Sequence, residues 1–203
     1  MRRFIFILLI FSASALKSNA QETSFPRFTF GAEWSYVSSI HSFWHYNFFS
    51  PEGYRVDQKG SKAMYYSNAE GSLNAGLNLN SHWNLSFHLG LTGLSDLHKA
   101  VPISLRGTYY YGDDPLTDRW FTFIEAGSGI SLKLPPQEIF GCKAGGGYRI
   151  SLSRHTKLDL LLAVKVNYTH PDVLYDNVRI DHERINRNSM TITAITFGMA
   201  VNL

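Results

Sequence analysis

The chain has 203 residues, of which 44% are hydrophobic and 17% charged, and its 19 Lys and Arg exceed its 16 Asp and Glu by three. Arg2, Arg3 and Lys17 account for that excess, because no acidic residue precedes Glu22. The rest of the chain therefore has equal numbers of acidic and basic residues, which excludes nucleic-acid binding through a basic surface. A single cysteine, Cys142, excludes an internal disulfide framework.

The N-terminus has the three parts of a secretory signal peptide. Arg2 and Arg3 are followed by the apolar segment 4–11, and small residues stand at Ser18 and Ala20. This pattern predicts cleavage before Gln21, which gives a signal peptide over 1–20 and one domain over 21–203. The apolar segment is too short for a membrane-spanning helix, which needs about 20 residues.

The remaining chain alternates with a period of two, which is typical of half-buried β-strands. It contains no stretch of about 18 apolar residues, so a membrane protein with this sequence can only be a closed barrel. We predict an all-β fold, a single eight-stranded antiparallel transmembrane β-barrel after a cleaved signal peptide. The predicted strands are 27–40, 67–79, 83–94, 101–111, 119–131, 140–152, 156–168 and 190–203.

Each predicted strand assigns one face to lipid and the other to the lumen. In the third, Trp83, Leu85 and Leu89 lie on one face and Ser86 and His88 on the other. We expect the apolar face outside, as in outer-membrane barrels. In the fifth strand Phe121 and Phe123 share the parity of Glu125, so we assign that face to the lumen.

The lengths of the connections between strands predict which end of the barrel faces the periplasm. The connections at 80–82, 112–118 and 153–155 are short, whereas 41–66 and 169–189 are predicted as long loops. Outer-membrane barrels have short periplasmic turns and longer external loops, so we expect both termini in the periplasm. Outward aromatic residues are expected at both membrane interfaces: Phe28, Trp83, Tyr109, Tyr111 and Trp120 at the periplasmic one, and Trp34, Tyr36 and Tyr168 at the other.

Three segments carry a resemblance to a known class: Phe28-Thr29-Phe30-Gly31-Ala32-Glu33, Trp120-Phe121-Thr122-Phe123-Ile124-Glu125-Ala126-Gly127 and Lys143-Ala144-Gly145-Gly146-Gly147-Tyr148. With the signal peptide, they resemble the small OmpA/OmpX-type outer-membrane barrels. The chain looks most similar to uncharacterised outer-membrane β-barrel proteins of the Bacteroides group. The resemblance implies a location in the outer membrane of a Gram-negative bacterium and a porin-like transmembrane β-strand architecture.

The predicted lumen face carries four acidic and four basic residues: Glu33, Glu70, Arg106, Glu125, Lys143, Arg149, Asp159 and Lys165. The turns predict that Arg106 faces Glu125 and that Arg149 faces Asp159. Lys143 then faces Lys165, unless Glu70 or another acid lies between them. An eight-stranded barrel is filled by side chains, so we favour a charge-paired plug; the alternative is a gated ion path.

The two long loops are the candidate binding surface, because exposed aromatic residues with arginines are typical of interfaces. The candidate residues are Phe43, Trp44, Tyr46, Phe48, Phe49, Arg179, Arg184 and Arg187. The alternative is that these segments extend the strands and pack on each other. His41 and His45 are four apart, but Ser42 stands where a metalloprotease helix has Glu. We predict no catalytic, metal or cofactor site.

Three functions remain open from the sequence. The first is a non-enzymatic outer-membrane barrel, structural or binding through its outer loops, with membrane lipid, lipopolysaccharide, a host surface or an extracellular protein or glycan as partner. The second is a lipid-modifying enzyme, an acyltransferase or deacylase, for which His41, His45 and Ser42 are the available groups. The third is a soluble periplasmic lipocalin-like barrel with its faces inverted. In all three we expect a monomer without nucleic acid.

The first prediction concerns location. Because the apolar stripe and the aromatic residues need lipid, the mature protein should remain in the outer-membrane fraction through high-salt and carbonate washes. Fractionation followed by immunoblotting measures this, with a soluble periplasmic protein as control. Release into the soluble periplasmic fraction would contradict it.

Overall fold

A computed structural model describes residues 26–95, 98–132, 137–153, 155–176 and 178–203, so the predicted signal peptide lies outside the described residues. The elements are β1 (Phe28–Phe49), β2 (Arg55–Asn78), β3 (Trp83–Ser95), β4 (His98–Tyr110), β5 (Arg119–Ser131), β6 (Glu138–Ser151), β7 (Lys157–Thr169), β8 (Leu174–Tyr175), β9 (Val178–Arg179), a 3₁₀ turn (His182–Arg184) and β10 (Ile185–Asn202). No helix among these residues is long and apolar enough to cross a membrane.

Eight strands close into one antiparallel barrel in the order β1-β10-β7-β6-β5-β4-β3-β2. The predicted eight-stranded barrel is therefore confirmed. The connections at 79–82, 111–118 and 152–156 lie at the same end of the barrel as the start of β1 and the finish of β10; we call this the turn end and the opposite one the hairpin end. At the turn end Leu203 N donates to Phe30 O at 2.7 Å, which joins the last strand to the first.

The two faces of the wall are divided as the alternation predicts. Leu73, Leu162 and Ile124 are 60–70% exposed on the outside, whereas Ser86 and His88 are buried inside. Phe121 and Phe123 lie in the interior with Glu125 at their parity. This distribution is the opposite of the one that a soluble lipocalin-like barrel requires, because an apolar belt on this scale is unstable in water.

Strands β1 and β2 are much longer than the sequence predicts, and the long loop predicted at 41–66 is wrong. They continue to Phe49 and from Arg55, and the connection is a tight turn in which Gly53 has a φ of 93°. Ser50 N donates to Tyr54 O at 2.8 Å across this turn. The loop predicted at 169–189 is also shorter, because β10 begins at Ile185.

The extra length forms a three-stranded sheet beyond the barrel wall. It consists of 55–63 of β2, 41–49 of β1 and 185–189 of β10, and we call it the projecting sheet. Strand β2 pairs with β3 only over 70–78. Among the described residues, no strand pairs with the outer edge of β2 over 55–65.

The inner side of the projecting sheet is covered by the β8–β9 hairpin. Phe48, Val173 and Ile180 form a buried apolar cluster there. Tyr175 contacts the Phe48 ring edge-on at 5.7 Å, and its hydroxyl shares a 2.5 Å hydrogen bond with Tyr54. This packing closes the hairpin end over the barrel.

At the turn end, aromatic rings line both sides of the wall. Outside, Trp83, Tyr109 and Tyr111 contact one another in sequence at centroid distances of 5.0 and 5.2 Å. Inside, the Phe121 ring lies against Gly147, where a Cβ would come within 2.5 Å of it. Gly147 therefore makes room for an interior ring, which is the structural role of glycine at close approach.

The second prediction tests the assignment of the faces. Leu89 and Leu162 are 47% and 60% exposed on the outer surface. Replacing either with Arg should cost roughly 2–4 kcal/mol of folding free energy, because the charge enters hydrocarbon. Unfolding of the refolded protein in lipid vesicles measures the cost.

The matched control is Phe49→Arg, since Phe49 lies at the tip of the projecting sheet and is 42% exposed. That change should be nearly neutral. Equal costs at all three positions would contradict the assignment.

Candidate functional site: a charge network in the barrel lumen

All eight charged residues predicted for the lumen face lie inside the barrel. Seven are buried, and the Glu125 side chain is 13% exposed. They are buried because inward positions alternate with lipid-facing ones along each strand. Two groups can be distinguished, a six-residue network in the middle and a smaller cluster at the turn end.

The six-residue network is a chain of alternating charge. It runs Glu125, Arg106, Glu33, Lys143, Glu70, Lys165. Arg106 Nη2 contacts Glu125 Oε2 at 2.6 Å, and Arg106 Nη1 contacts Glu33 Oε2 at 2.6 Å. Lys143 Nζ lies 2.8 Å from Glu33 Oε1 and 3.4 Å from Glu70 Oε1, and Lys165 Nζ binds the other oxygen of Glu70. Each interior charge of the chain thus has two opposite neighbours.

The network contains ion pairs between adjacent strands and ion pairs that cross the lumen. Arg106 faces Glu125 on adjacent strands, as the turn at 112–118 predicts. Lys143 faces Lys165, and Glu70 bridges the two ammonium groups from across the lumen. The contacts of Glu33 with β4 and β6 likewise cross the barrel. The network therefore links six of the eight barrel strands.

Hydroxyl groups add a hydrogen bond to each of the three carboxylates of the network. Ser104 Oγ donates to Glu125 Oε1 at 2.6 Å, and Thr92 Oγ1 donates to Glu70 Oε2 at 2.7 Å. Ser35 Oγ donates to Glu33 Oε1 at 3.2 Å. Sequence reasoning missed these three residues, although their inward parity and polar character mark them. With these donors, each carboxylate of the network has partners on both oxygens, which is what a buried charge requires.

A second cluster occupies the turn end. Arg149 Nε and Nη2 bind Asp159 through two hydrogen bonds of 2.7 Å, and Asn202 Nδ2 donates to the same carboxylate at 2.8 Å. The Tyr110 ring lies 4.3 Å from the Arg149 guanidinium. The Arg119 guanidinium, which the sequence did not mark as a lumen residue, lies 4.2 Å from the same ring.

The network and the cluster fill the lumen almost completely. The two cavities along it have volumes of about 40 and about 20 Å³. A bound water needs roughly 10–15 Å³, so they hold a few waters at most. Both are bordered by His88, whose Nδ1 has no hydrogen-bond partner among the described residues. The six-residue network is charge-neutral, and cavities of this size favour a plug over a hydrated pore.

The outward face of the projecting sheet is a separate polar surface. Arg55, Lys59 and Arg187 are exposed there, with Asp57 as the acid among them. His45 Nε2 donates to Asp57 Oδ1 at 2.8 Å, and this hydrogen bond holds the pKa of the Asp57 carboxyl below its usual value. The surface therefore carries an excess of two positive charges.

The predicted outer-loop residues are divided between the two faces of that sheet and the β8–β9 region. Phe48 is buried, and Trp44 and Tyr46 are half-buried on the inner side. Phe43 and Phe49 are exposed on the outward side. Arg179 pairs with Asp172 at 3.0 Å, and Arg184 donates to Ser50 O at 3.4 Å. Only part of the predicted set is thus available to a ligand.

The groups considered for chemistry are not assembled. His41 is exposed on the outward side, whereas the neighbouring Ser42 is buried on the inner side and contacts Lys62 O at 3.5 Å. Within the described ranges, no group of three His, Cys, Asp or Glu residues is close enough to hold a metal ion.

Two solved structures are similar to this chain. The crystal structure of the outer membrane protein OprG from Pseudomonas aeruginosa superposes with a TM-score of 0.50 at 12% identity, covering 87% of this chain and 95% of that one. The crystal structure of Neisserial surface protein A gives a TM-score of 0.47 at 11% identity, covering 87% and 97%. No family model and no curated protein matches the chain. At this identity, the likeness to OprG shows that the fold is that of small outer-membrane barrels.

The third prediction tests the plug. Removing Arg106 takes away the cation that pairs with Glu125, and removing Glu125 leaves the buried network with one excess positive charge. Either change alone should cost about 3–5 kcal/mol. Removing both leaves Glu33, Lys143, Glu70 and Lys165 as a neutral set, so the double variant should cost much less than the sum. A double-mutant cycle with Arg106→Ala and Glu125→Ala, measured by unfolding in detergent, gives the coupling.

The control cycle combines Glu125→Ala with Arg149→Ala. Arg149 belongs to the other cluster and lies six residues along β6 from the partner of Glu125, about 20 Å away, so those effects should add. Additive effects in both cycles, together with steady currents in planar bilayers, would establish a hydrated path instead.

Proposed function

We propose that this chain is an outer-membrane β-barrel of a Gram-negative bacterium that performs no catalysis and acts through its projecting sheet. The mature barrel has a closed lumen, so the chemistry available to other molecules lies on its outside. Membrane lipid and lipopolysaccharide are the partners that this outside fits best. The relationship to Bacteroides-group barrels is part of the same proposal and is supported by the three segments quoted above.

The apolar belt supports the membrane location. Large apolar side chains are exposed around the wall, among them Phe30, Leu105, Leu160 and Phe197. Only a closed sheet satisfies every backbone group in hydrocarbon, and this sheet is closed. The outer surface therefore suits lipid, and the charges inside the barrel are paired with one another.

The orientation follows from the unequal ends of the barrel. The turn end carries short connections, whereas the hairpin end carries the projecting sheet and the β8–β9 hairpin. Outer-membrane barrels place their larger extensions outside the cell. We therefore place the turn end, and with it both termini, in the periplasm.

The observation that carries the function is the cationic outward face of the projecting sheet, which continues directly from the apolar belt. Arg187 faces Asn47 on the neighbouring strand, and Arg55 Nε donates to Asn47 Oδ1 at 3.0 Å. Lys59 faces His45 on the same side. Guanidinium and ammonium groups just above an acyl-chain region fit the phosphates of lipopolysaccharide. Phe43, exposed on this face, adds apolar contact.

The fourth prediction is that this face binds phosphorylated lipid A. Replacing Arg55, Lys59 and Arg187 together with Gln should weaken binding by about 3 kcal/mol, or roughly a hundredfold, since each cation near an anionic surface contributes about 1 kcal/mol. Titration of the detergent-folded protein with lipid A, followed by tryptophan fluorescence, measures the affinity.

A matched control replaces three exposed cations outside this face: Lys62, Lys99 and Arg179. The control variant should bind lipid A like the wild type, and dephosphorylated lipid A should bind both variants and wild type equally weakly. Equal losses of lipid A affinity in the two triple variants would show that binding depends only on net charge. That result would contradict a site on the projecting sheet.

A further inference from the structure

Two arginines face each other inside the turn end of the barrel. Arg119 on β5 and Arg149 on β6 are direct partners in the strand register. Both are buried, with 7% of each residue exposed. Like charges directly opposite each other on neighbouring strands are destabilising, and burial increases the cost. The Tyr110 ring offers a cation–π contact to each guanidinium but no negative charge.

Only one of the two arginines has a carboxylate partner. Asp159 takes both of its hydrogen bonds from Arg149 and a third from Asn202. Arg119 Nη1 donates to the backbone oxygen of Ser81 at 2.6 Å, and the buried Arg119 Nε has no hydrogen-bond partner among the described residues. A guanidinium in this state has a donor and a charge that are both unsatisfied.

A cavity of about 30 Å³ adjoins this position and opens at the turn end. Arg119, Arg149, Lys157 and His155 line it. Lys157 Nζ donates to the neutral oxygens of Ser151 and Ser153, at 3.1 and 3.0 Å.

The acids near the cavity are already engaged. Asp114 accepts from Leu116 N at 2.8 Å, and Asp118 accepts from Ser151 N at 2.7 Å, so both hold the turns together. The lining thus retains a surplus of positive charge.

We propose that this cavity is an oxyanion-binding site in which a phosphate group bridges Arg119 and Lys157. Guanidinium groups bind phosphate through paired, charge-assisted hydrogen bonds. One oxygen would receive the free Arg119 Nε–H, and the negative charge would relieve the repulsion between Arg119 and Arg149. The phosphate has two possible sources, a free ion or the headgroup of a phospholipid of the adjacent leaflet. The site lies at the opposite end from the lipopolysaccharide surface, so it stands independently of that proposal.

The test measures thermal unfolding of the full mature barrel in neutral detergent, using the difference in gel mobility between folded and unfolded protein. A ligand that binds only the folded state raises the unfolding midpoint in a saturable way. Inorganic phosphate should do so at constant ionic strength relative to chloride. Arg119→Gln should weaken the apparent affinity about tenfold or more, which is the effect of losing a charge-assisted hydrogen bond.

Lys157→Gln provides a second variant at the half-buried rim, should Arg119→Gln fail to fold, and is expected to weaken binding in the same direction. Lys62→Gln, an exposed cation of the projecting sheet, should leave phosphate binding unchanged. Soluble short-chain phosphatidylglycerol forms a parallel arm. Tighter protection by the lipid than by inorganic phosphate identifies the headgroup as the source, and protection by inorganic phosphate alone identifies the free ion.

Two results would overturn the proposal. One is the absence of any saturable rise over chloride in both arms. The other is an equal rise in the wild type, Arg119→Gln and Lys157→Gln, which would place the bound phosphate elsewhere on the surface.

Discussion

The requirement that every charge inside a narrow barrel have a partner determines most of this structure. Six charges from six strands alternate in sign along one connected chain, so each strand contributes a group whose burial depends on another strand. An unpaired charge in such a space costs several kcal/mol. The pairing therefore disfavours shifted registers, because a slip of one residue would turn the charge on that strand toward lipid.

The same pairing determines where function can reside. A plugged lumen leaves no room for a substrate in the middle, so the chemistry available to other molecules lies at the two ends. At the hairpin end, cations lie on an outward sheet face that is continuous with the apolar belt. At the turn end, Arg119 and Arg149 both contact the Tyr110 ring, and only Arg149 has a carboxylate partner. The network in the middle is balanced, and the charge imbalance is confined to the two ends.

The strands from β3 to β7 and the neighbour pairs across short turns could be predicted from the sequence, because alternation and turn length are local properties. The extension of β1 could not. A bulge at Ile40 changes the inward-facing positions from odd residues such as Ser39 to even residues such as Ser42. The strand therefore does not follow a constant period of two and is not recognised from alternation. In β2 the segment 55–63 has only Val56 and Ala63 as apolar side chains, so no alternation is recognisable there. The contacts of Glu33 across the lumen depend on how the barrel closes, which local patterns do not encode.

The open edge of β2 over 55–65 limits how copies of the chain can associate. Two identical edges can join antiparallel only around a two-fold axis perpendicular to the strands. Chains inserted in the same direction in a membrane are related by an axis along the membrane normal, and barrel strands are tilted by about 35–45° from it. Two such edges would cross at an angle and could not form a continuous ladder of backbone hydrogen bonds. The common orientation of the copies in the membrane therefore disfavours pairing between their edges. A partner from outside the cell is not restricted in this way.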